Sequence, residues 1–211
     1  MRTRSGFEEV ITSVEQVRAI MGSPAPRAER KEIGAIDAHA RAFIAKSPFV
    51  LVCSSDSRGR MDVSPKGDPP GFVQVLDDKT LAIPDRPGNR RADTFCNLVE
   101  NPHVGLLFLV PGKRETLRVS GTAIIVRDAG LRESMAVNGK APELAIVASV
   151  EQVFFHCAKC VIRSRLWQPE AWPDLAGLPS LAEALISHGQ LTDSLADVQA
   201  AIDDGYATEL Y

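Results

Sequence analysis

Nowhere in the 211 residues is there an apolar run of about 18, the length a membrane-crossing helix needs. Arg2 and Arg4 open the chain without an apolar stretch behind them, so no secretory leader is expected and the expected location is cytoplasmic. A basic surplus is missing as well: 24 Lys and Arg face 27 Asp and Glu, a formal net charge of −3. That balance argues against a general polyanion binder, so nucleic acid is not an expected partner and any anion site must be local. Cysteine is scarce. Cys53, Cys96, Cys157 and Cys160, in a chain without an export signal, are expected to stay reduced, with no structural disulfide. There is no Gly-x-Ser-x-Gly elbow, no phosphate-cradling P-loop and no Gly-x-Gly-x-x-Gly fingerprint. A phosphate bound here is therefore expected to be held by side chains from strands rather than by a helix cradle. Repeats and low-complexity stretches are absent too. What is present is the composition of a folded globular chain, 45% apolar and 24% charged, of a length that suits one core.

Hydrophobic periodicity divides the chain into three parts. Residues 6–46 read as helical, broken at Pro24 and Pro26. From Phe49 the period changes. FVLVCSSD, a turn at SRGR and MDVSPKG form one expected hairpin, and GFVQVL, a turn at DDK and TLAIPD form a second. ADTFCNLVENP reads as a short helix, VGLLFLV as a strand apolar enough for burial on both faces, and TLRVSGTAIIV as a long strand. DAGLRESMAVNGK reads as a helix stopped at Asn138-Gly139, and LAIVASVEQVFFHCA as the last strand. About six strands joined by short turns predict a mainly β protein, a six-stranded antiparallel barrel with flanking helices, and no strand–helix alternation suggests a parallel sheet. The expected parts are a helical segment at 1–46, the barrel at 47–170 and an acidic extension at 171–211. From Gln168 onward there are eight acidic residues and no Lys or Arg; SLAEALISHG and DSLADVQAAIDDG read as amphipathic helices packed on the barrel or on a second subunit.

Three stretches carry candidate chemistry. In IPDRPGNRRADTF, Arg86, Arg90 and Arg91 surround a Pro-Gly-Asn turn. They are either solvated or paired with Asp85 and Asp93, or they are an anion site; the second reading needs another contributor. DVSPKGDPPGF offers Ser64, Lys66 and Gly67 at a strand end. A phosphate monoester takes planar bidentate donors from Arg, a point charge from Lys, and close small hydroxyl or backbone donors. Pro and Gly punctuate ordinary turns too, so neither stretch decides alone. HCAKC has zinc-like Cys-x-x-Cys spacing, yet a structural zinc takes four ligands and the remaining His and Cys are scattered, so no metal is expected.

SPKGDPPGF, then TLAIPDRPGNRRADTFCNLVENPHVGLLFLVPG, then ETLRVSG and FFHCAKCVIRSRLW, in that order, resemble the pyridoxamine 5′-phosphate oxidase-like family of FMN-binding split β-barrels. The resemblance spans roughly residues 45–170. It implies a six-stranded split barrel that pairs as a homodimer with FMN in clefts at the subunit interface. By position, it implies that Ser64, Lys66 and Gly67, with Asn89, Arg90 and Arg91, hold the FMN phosphate. Pro84 and Asp85 pass the isoalloxazine ring, Thr116 reaches the flavin, and Arg165 and Trp167 approach it late in the chain. The segment QPEAWPDLAGLPSLAEALISHGQ does not reproduce the Arg/His stretch with which the true oxidase recognises its substrate, so pyridoxamine phosphate is not implied.

Three functions stay open at this point. The first is an FMN-dependent oxidoreductase moving hydride or electrons between NAD(P)H and a small organic molecule. The second is a flavin-binding carrier or sensor without turnover. The third is a split barrel using haem or a deazaflavin. Haem needs an axial ligand, for which His156 lies in the barrel motifs.

Overall fold

The computed structural model describes residues 7–211; the first six residues of the expected helical segment lie outside the described residues. The chain forms two compact units, Met1–Glu32 and Ile33–Tyr211. In the first, α1 (Val14–Met21) starts later than the periodicity predicts. Ser13 and Gln16 form a reciprocal capping box that fixes its first turn there. α2 (Pro26–Glu29) begins on a proline, whose missing N–H costs nothing at that position.

In the second unit Asp37 caps α3 (Ala38–Ile44) by accepting from the Ala40 amide at 2.8 Å, and Ala40, Phe43 and Ile44 turn one face into the core. β1 (Phe49–Ser55) and β2 (Met61–Gly67) make the first expected hairpin; β3 (Gln74–Val75) and β4 (Thr80–Pro84) make the second. α4 (Asp93–Glu100), β5 (His103–Leu109), β6 (Thr116–Val126), α5 (Ala129–Ser134) and β7 (Ala145–His156) follow. α6 (Lys159–Ser164), α7 (Leu181–Gly189) and α8 (Leu195–Thr208) end the chain. The strands form one antiparallel sheet in the order β2-β1-β5-β6-β7-β4-β3. The fold is thus mainly an antiparallel sheet with flanking helices.

Three expectations change on inspection of the sheet. It has seven strands rather than six, with β2 and β3 at its two edges. The strand expected over GFVQVL shrinks to two residues. The Pro69-Pro70-Gly71 turn occupies its start: the Phe72 amide bonds to the Pro69 carbonyl, and Gly71 takes φ +90°. β5 is not buried on both faces. Val104, Leu106 and Phe108 point into the core, while Leu107 and Leu109 on the other face stay only partly buried. α5 is also shorter than DAGLRESMAVNGK suggested. It ends by Met135, and Asn138 and Gly139, both at positive φ, form the tight turn that joins Val137 to Lys140.

The core lies where Val50 and Val52 of β1, Phe108 of β5, Leu117 and Val119 of β6, Val153 of β7, and Leu81 and Ile83 of β4 meet α3. Burying a side chain of this kind contributes roughly 1.5–3 kcal/mol. On β2, which pairs with β1, the alternation sets Asp62, Ser64 and Lys66 on one face and Met61, Val63 and Pro65 on the other. The polar face looks into the cleft described next.

Candidate functional site

β4 ends where Pro84 pairs with Ala145, and one more bond, from the Asp85 amide to the Leu144 carbonyl at 2.9 Å, carries the chain to its turn. Pro87 and Gly88 then take the backbone away from the sheet. Arg86 turns inward: its Nε donates to Asp68 at 2.6 Å and its Nη2 to the Met135 carbonyl at 2.9 Å. The Asp68 side chain is 1% exposed, so a buried carboxylate holds this arginine in place. Arg91 donates to Asp93 at 2.7 Å, in the solvent. Arg90 alone of the three has no carboxylate partner among the described residues. Pairing therefore explains two of the arginines, one with an expected partner and one with Asp68 instead of Asp85.

The backbone around the third is strained. Arg90 and Ala92 adopt left-handed φ of 59° and 57°, which costs a non-glycine residue about 1–2 kcal/mol each. Ala92 is also the N-cap of α4 and supplies no side-chain cap. The first turn of that helix lines the cleft described next, through Asp93, Thr94 and Phe95.

Between β2 and this turn lies a cleft of about 1060 Å³, at the upper end of the roughly 300–1,000 Å³ usual for small-molecule sites. Ser64, Lys66, Asp85, Asn89, Arg90 and Arg91 all line it. The Lys66 ammonium sits 3.8 Å from Asp85 Oδ1 and 5.5 Å from the centre of the Phe95 ring. Burial pushes the Asp85 carboxyl above the usual aspartate range, against the pull of the Lys66 ammonium. The far wall is made by residues 140–144 and by Thr208, Glu209 and Tyr211.

The other sequence-predicted residues fall outside this cleft. Gly67 is the next residue along β2, against the Phe49 ring, and Pro84 is buried one residue before Asp85. Thr116 pairs with His156 at the opposite end of β7 from Leu144. Arg165 closes α6 at φ 51°, and Trp167 Nε1 donates to the Lys113 carbonyl at 2.7 Å. Asp68, Phe95, Lys140 and Tyr211 belong to the cleft or its supports and were not singled out by the sequence, although Asp68 lies in DVSPKGDPPGF and Phe95 in IPDRPGNRRADTF. Cys157 and Cys160 are exposed free thiols, and no three His, Cys, Asp or Glu side chains converge among the described residues. No helix among them is long and apolar enough to cross a membrane.

Fold and site together define an antiparallel β protein with a local, charged cleft, in which Lys66 and Arg90 stand beside carboxylates such as Asp62 and Asp85. The chain belongs to the pyridoxamine 5′-phosphate oxidase family, whose sequence profile matches residues 36–157. No curated protein matches it. Among solved structures it is similar to HupZ from group A Streptococcus, at 20% identity over 57% of this chain and 93% of that one, with a TM-score of 0.47. An FMN-binding protein from Syntrophomonas wolfei is similar at 13% identity over 56% and 84%, TM-score 0.45. General Stress Protein 26 from Bacillus anthracis follows at 14% over 54% and 88%, TM-score 0.43.

Proposed function

We propose that this protein is an FMN-binding oxidoreductase that passes hydride or electrons between a reduced nicotinamide and a small organic substrate, with the flavin held at a homodimer interface. The observation that carries the reading is the convergence of Lys66 and Arg90 on one cleft, Arg90 without a carboxylate of its own. This donor set fits a phosphate monoester: an ammonium, a guanidinium, the Ser64 hydroxyl and the Asn89 amide. Ser64, Lys66, Asn89, Arg90 and Arg91 hold the phosphate, and Asp85 flanks the ring. Flavin supplies reversible one- and two-electron transfer when bound; the protein binds it, orients it and limits water at it.

Two features support the dimer. On one side of the sheet Phe49 of β1 and Val63 of β2 are exposed, and Leu51 and Cys53 of β1 and Leu107 of β5 are only partly buried. Thr116, Arg165 and Trp167, outside the cleft of their own chain, are then contributed by the second subunit. The test is an absorption spectrum of the purified protein, followed by chromatography of the cofactor released on heating. Oxidised-flavin bands and release of FMN are expected. A colourless protein that takes up no added FMN overturns the reading.

Asp85 gives the site a pH signature. Its pKa in the folded protein is raised, so the carboxyl takes up its proton at a higher pH than in the unfolded chain. Its contribution to stability is present at acid pH and is lost as pH rises through the raised value. At neutral pH it is a charge of the same sign as the phosphate and a competitor for Lys66. Asp85→Asn is expected to bind FMN about three- to tenfold more tightly at pH 7, from a like charge removed near the ligand. As pH falls, the wild type to variant ratio should approach one. The ratio also cancels the phosphate's own titration near pH 6. Flavin-fluorescence titrations from pH 7.5 downward measure it, and a ratio that does not change with pH removes Asp85 from the site.

A further inference from the structure

α8 presents a physical oddity. Not one of its residues is buried, yet the chain beyond it returns to the cleft and is fastened there. Tyr211 Oη donates to Asp68 Oδ1 at 2.7 Å, across a separation of 143 residues. The Arg86 guanidinium lies 5.7 Å from the centre of the Tyr211 ring, and Lys140 Nζ donates to the Tyr211 main-chain oxygen at 2.7 Å. The receiving end does not depend on the tyrosine. Asp68 is buried and bonded to Arg86, and Arg86 is bonded in turn to the Met135 carbonyl. A preformed catch therefore meets a segment that has little else to hold it.

We infer that the segment from Thr208 to Tyr211 is a latch that closes the cleft behind a bound ligand, with the Tyr211 phenol as its tongue and the Asp68–Arg86 pair as its catch. This inference rests on the flavin reading of the cleft. Two observations favour retention over blocking. The latch bonds to Asp68 and Lys140 and lies against Arg86, but it takes neither Lys66 nor Arg90, the cations assigned to the phosphate. The cleft also measures about 1060 Å³ with Tyr211 in place, so the closed form has room for a ligand. Closed and loaded states are compatible, and opening one polar, solvent-edged contact set is the step that precedes release. Segment movements of this kind are fast compared with release from a tight site.

The test is stopped-flow measurement of FMN binding and release in the wild type, Tyr211→Phe and Tyr211→Ala. Tyr211→Ala should release FMN about tenfold faster with association nearly unchanged, since changes at one interface fall mostly on the off-rate. Tyr211→Phe keeps the ring against Arg86 and loses the bond to Asp68, so its off-rate should fall between. Without FMN, thermal midpoints should fall no further in Tyr211→Ala than in Tyr211→Phe, since both lose the same bond to Asp68 and the ring fills no core space; a residue with only a structural role would shift them without changing release. Equal release from all three proteins overturns the latch and leaves the flavin reading standing. A Tyr211→Ala variant that binds FMN faster and more tightly overturns retention in favour of a blocking tail. A wild type that takes up no FMN overturns the flavin reading, and the latch with it.

Discussion

Replacing Lys66 and Arg90 together with alanine is expected to weaken FMN binding by about a hundredfold to ten-thousandfold while the protein stays folded. Each charge-assisted bond to a phosphate is worth about 1.5–3 kcal/mol, so two give about 3–6 kcal/mol. The lower end is the better expectation, because Arg90 stands in solvent and salt screens it. Folding should be spared: Arg90 has no carboxylate partner to abandon, and Lys66 gives up an Asp85 contact at 3.8 Å and its place 5.5 Å from the Phe95 ring centre. Arg91→Ala is the internal control. That arginine is already engaged by Asp93 at 2.7 Å, so the phosphate must compete for it and its loss should cost far less. Fluorescence-quenching titrations at fixed salt separate the three proteins. A double variant that binds FMN within a factor of about three of the wild type would mean that the phosphate is not where these cations are.

The contrast between Arg90 and Arg91 marks what the sequence could and could not carry. The first hairpin, β4, the long β6 and β7, and the helix before Asn101-Pro102 follow from local periodicity and turn chemistry, and they stand where those signals put them. Ser64 and Lys66 were legible as candidates because a hydroxyl and an ammonium stand together at a strand end, and alternation along β2 sets both on one face. Which arginine is free was not. Asp93 is two residues from Arg91, but Asp68 reaches Arg86 only through the placement of two separate hairpins. Tyr211 is further still from any local rule, since nothing near it in the chain announces Asp68. The two-sided burial expected of VGLLFLV failed for a related reason. An apolar run states that a strand can be covered twice, and only the tertiary or quaternary arrangement states whether it is.

Gly121 carries the largest expected effect on folding. It sits mid-strand in β6, where a side chain would ordinarily stabilise, and the reason lies on the neighbouring strand. Ser120 pairs with Gln152 but Gly121 pairs with Val150, so Glu151 is an extra residue that bulges β7 toward β6. A Cβ on Gly121 would run into the Ser149 carbonyl oxygen and lie 3.1 Å from both the Glu151 amide nitrogen and the Ser149 carbonyl carbon. These are backbone atoms that cannot swing aside as a flexible side chain would. Gly121→Ala must therefore open the β6–β7 ladder at its middle or undo the bulge. Undoing it would shift register by one residue and turn Val150 or Val153, both buried, toward the wrong face. The expected cost is about 3 kcal/mol or more, a large share of the roughly 5–15 kcal/mol that stabilises a domain. Urea unfolding followed by circular dichroism measures it, and Gly105→Ala, whose Cβ would make only ordinary contact with Cys53 at 3.6 Å, is the matched control. Equal midpoints for the two variants would mean that the bulge yields freely. A collapse confined to Gly121→Ala would show that the ladder ending in Leu144 and Ala145, against the cleft, is held in register by the absence of one methyl group.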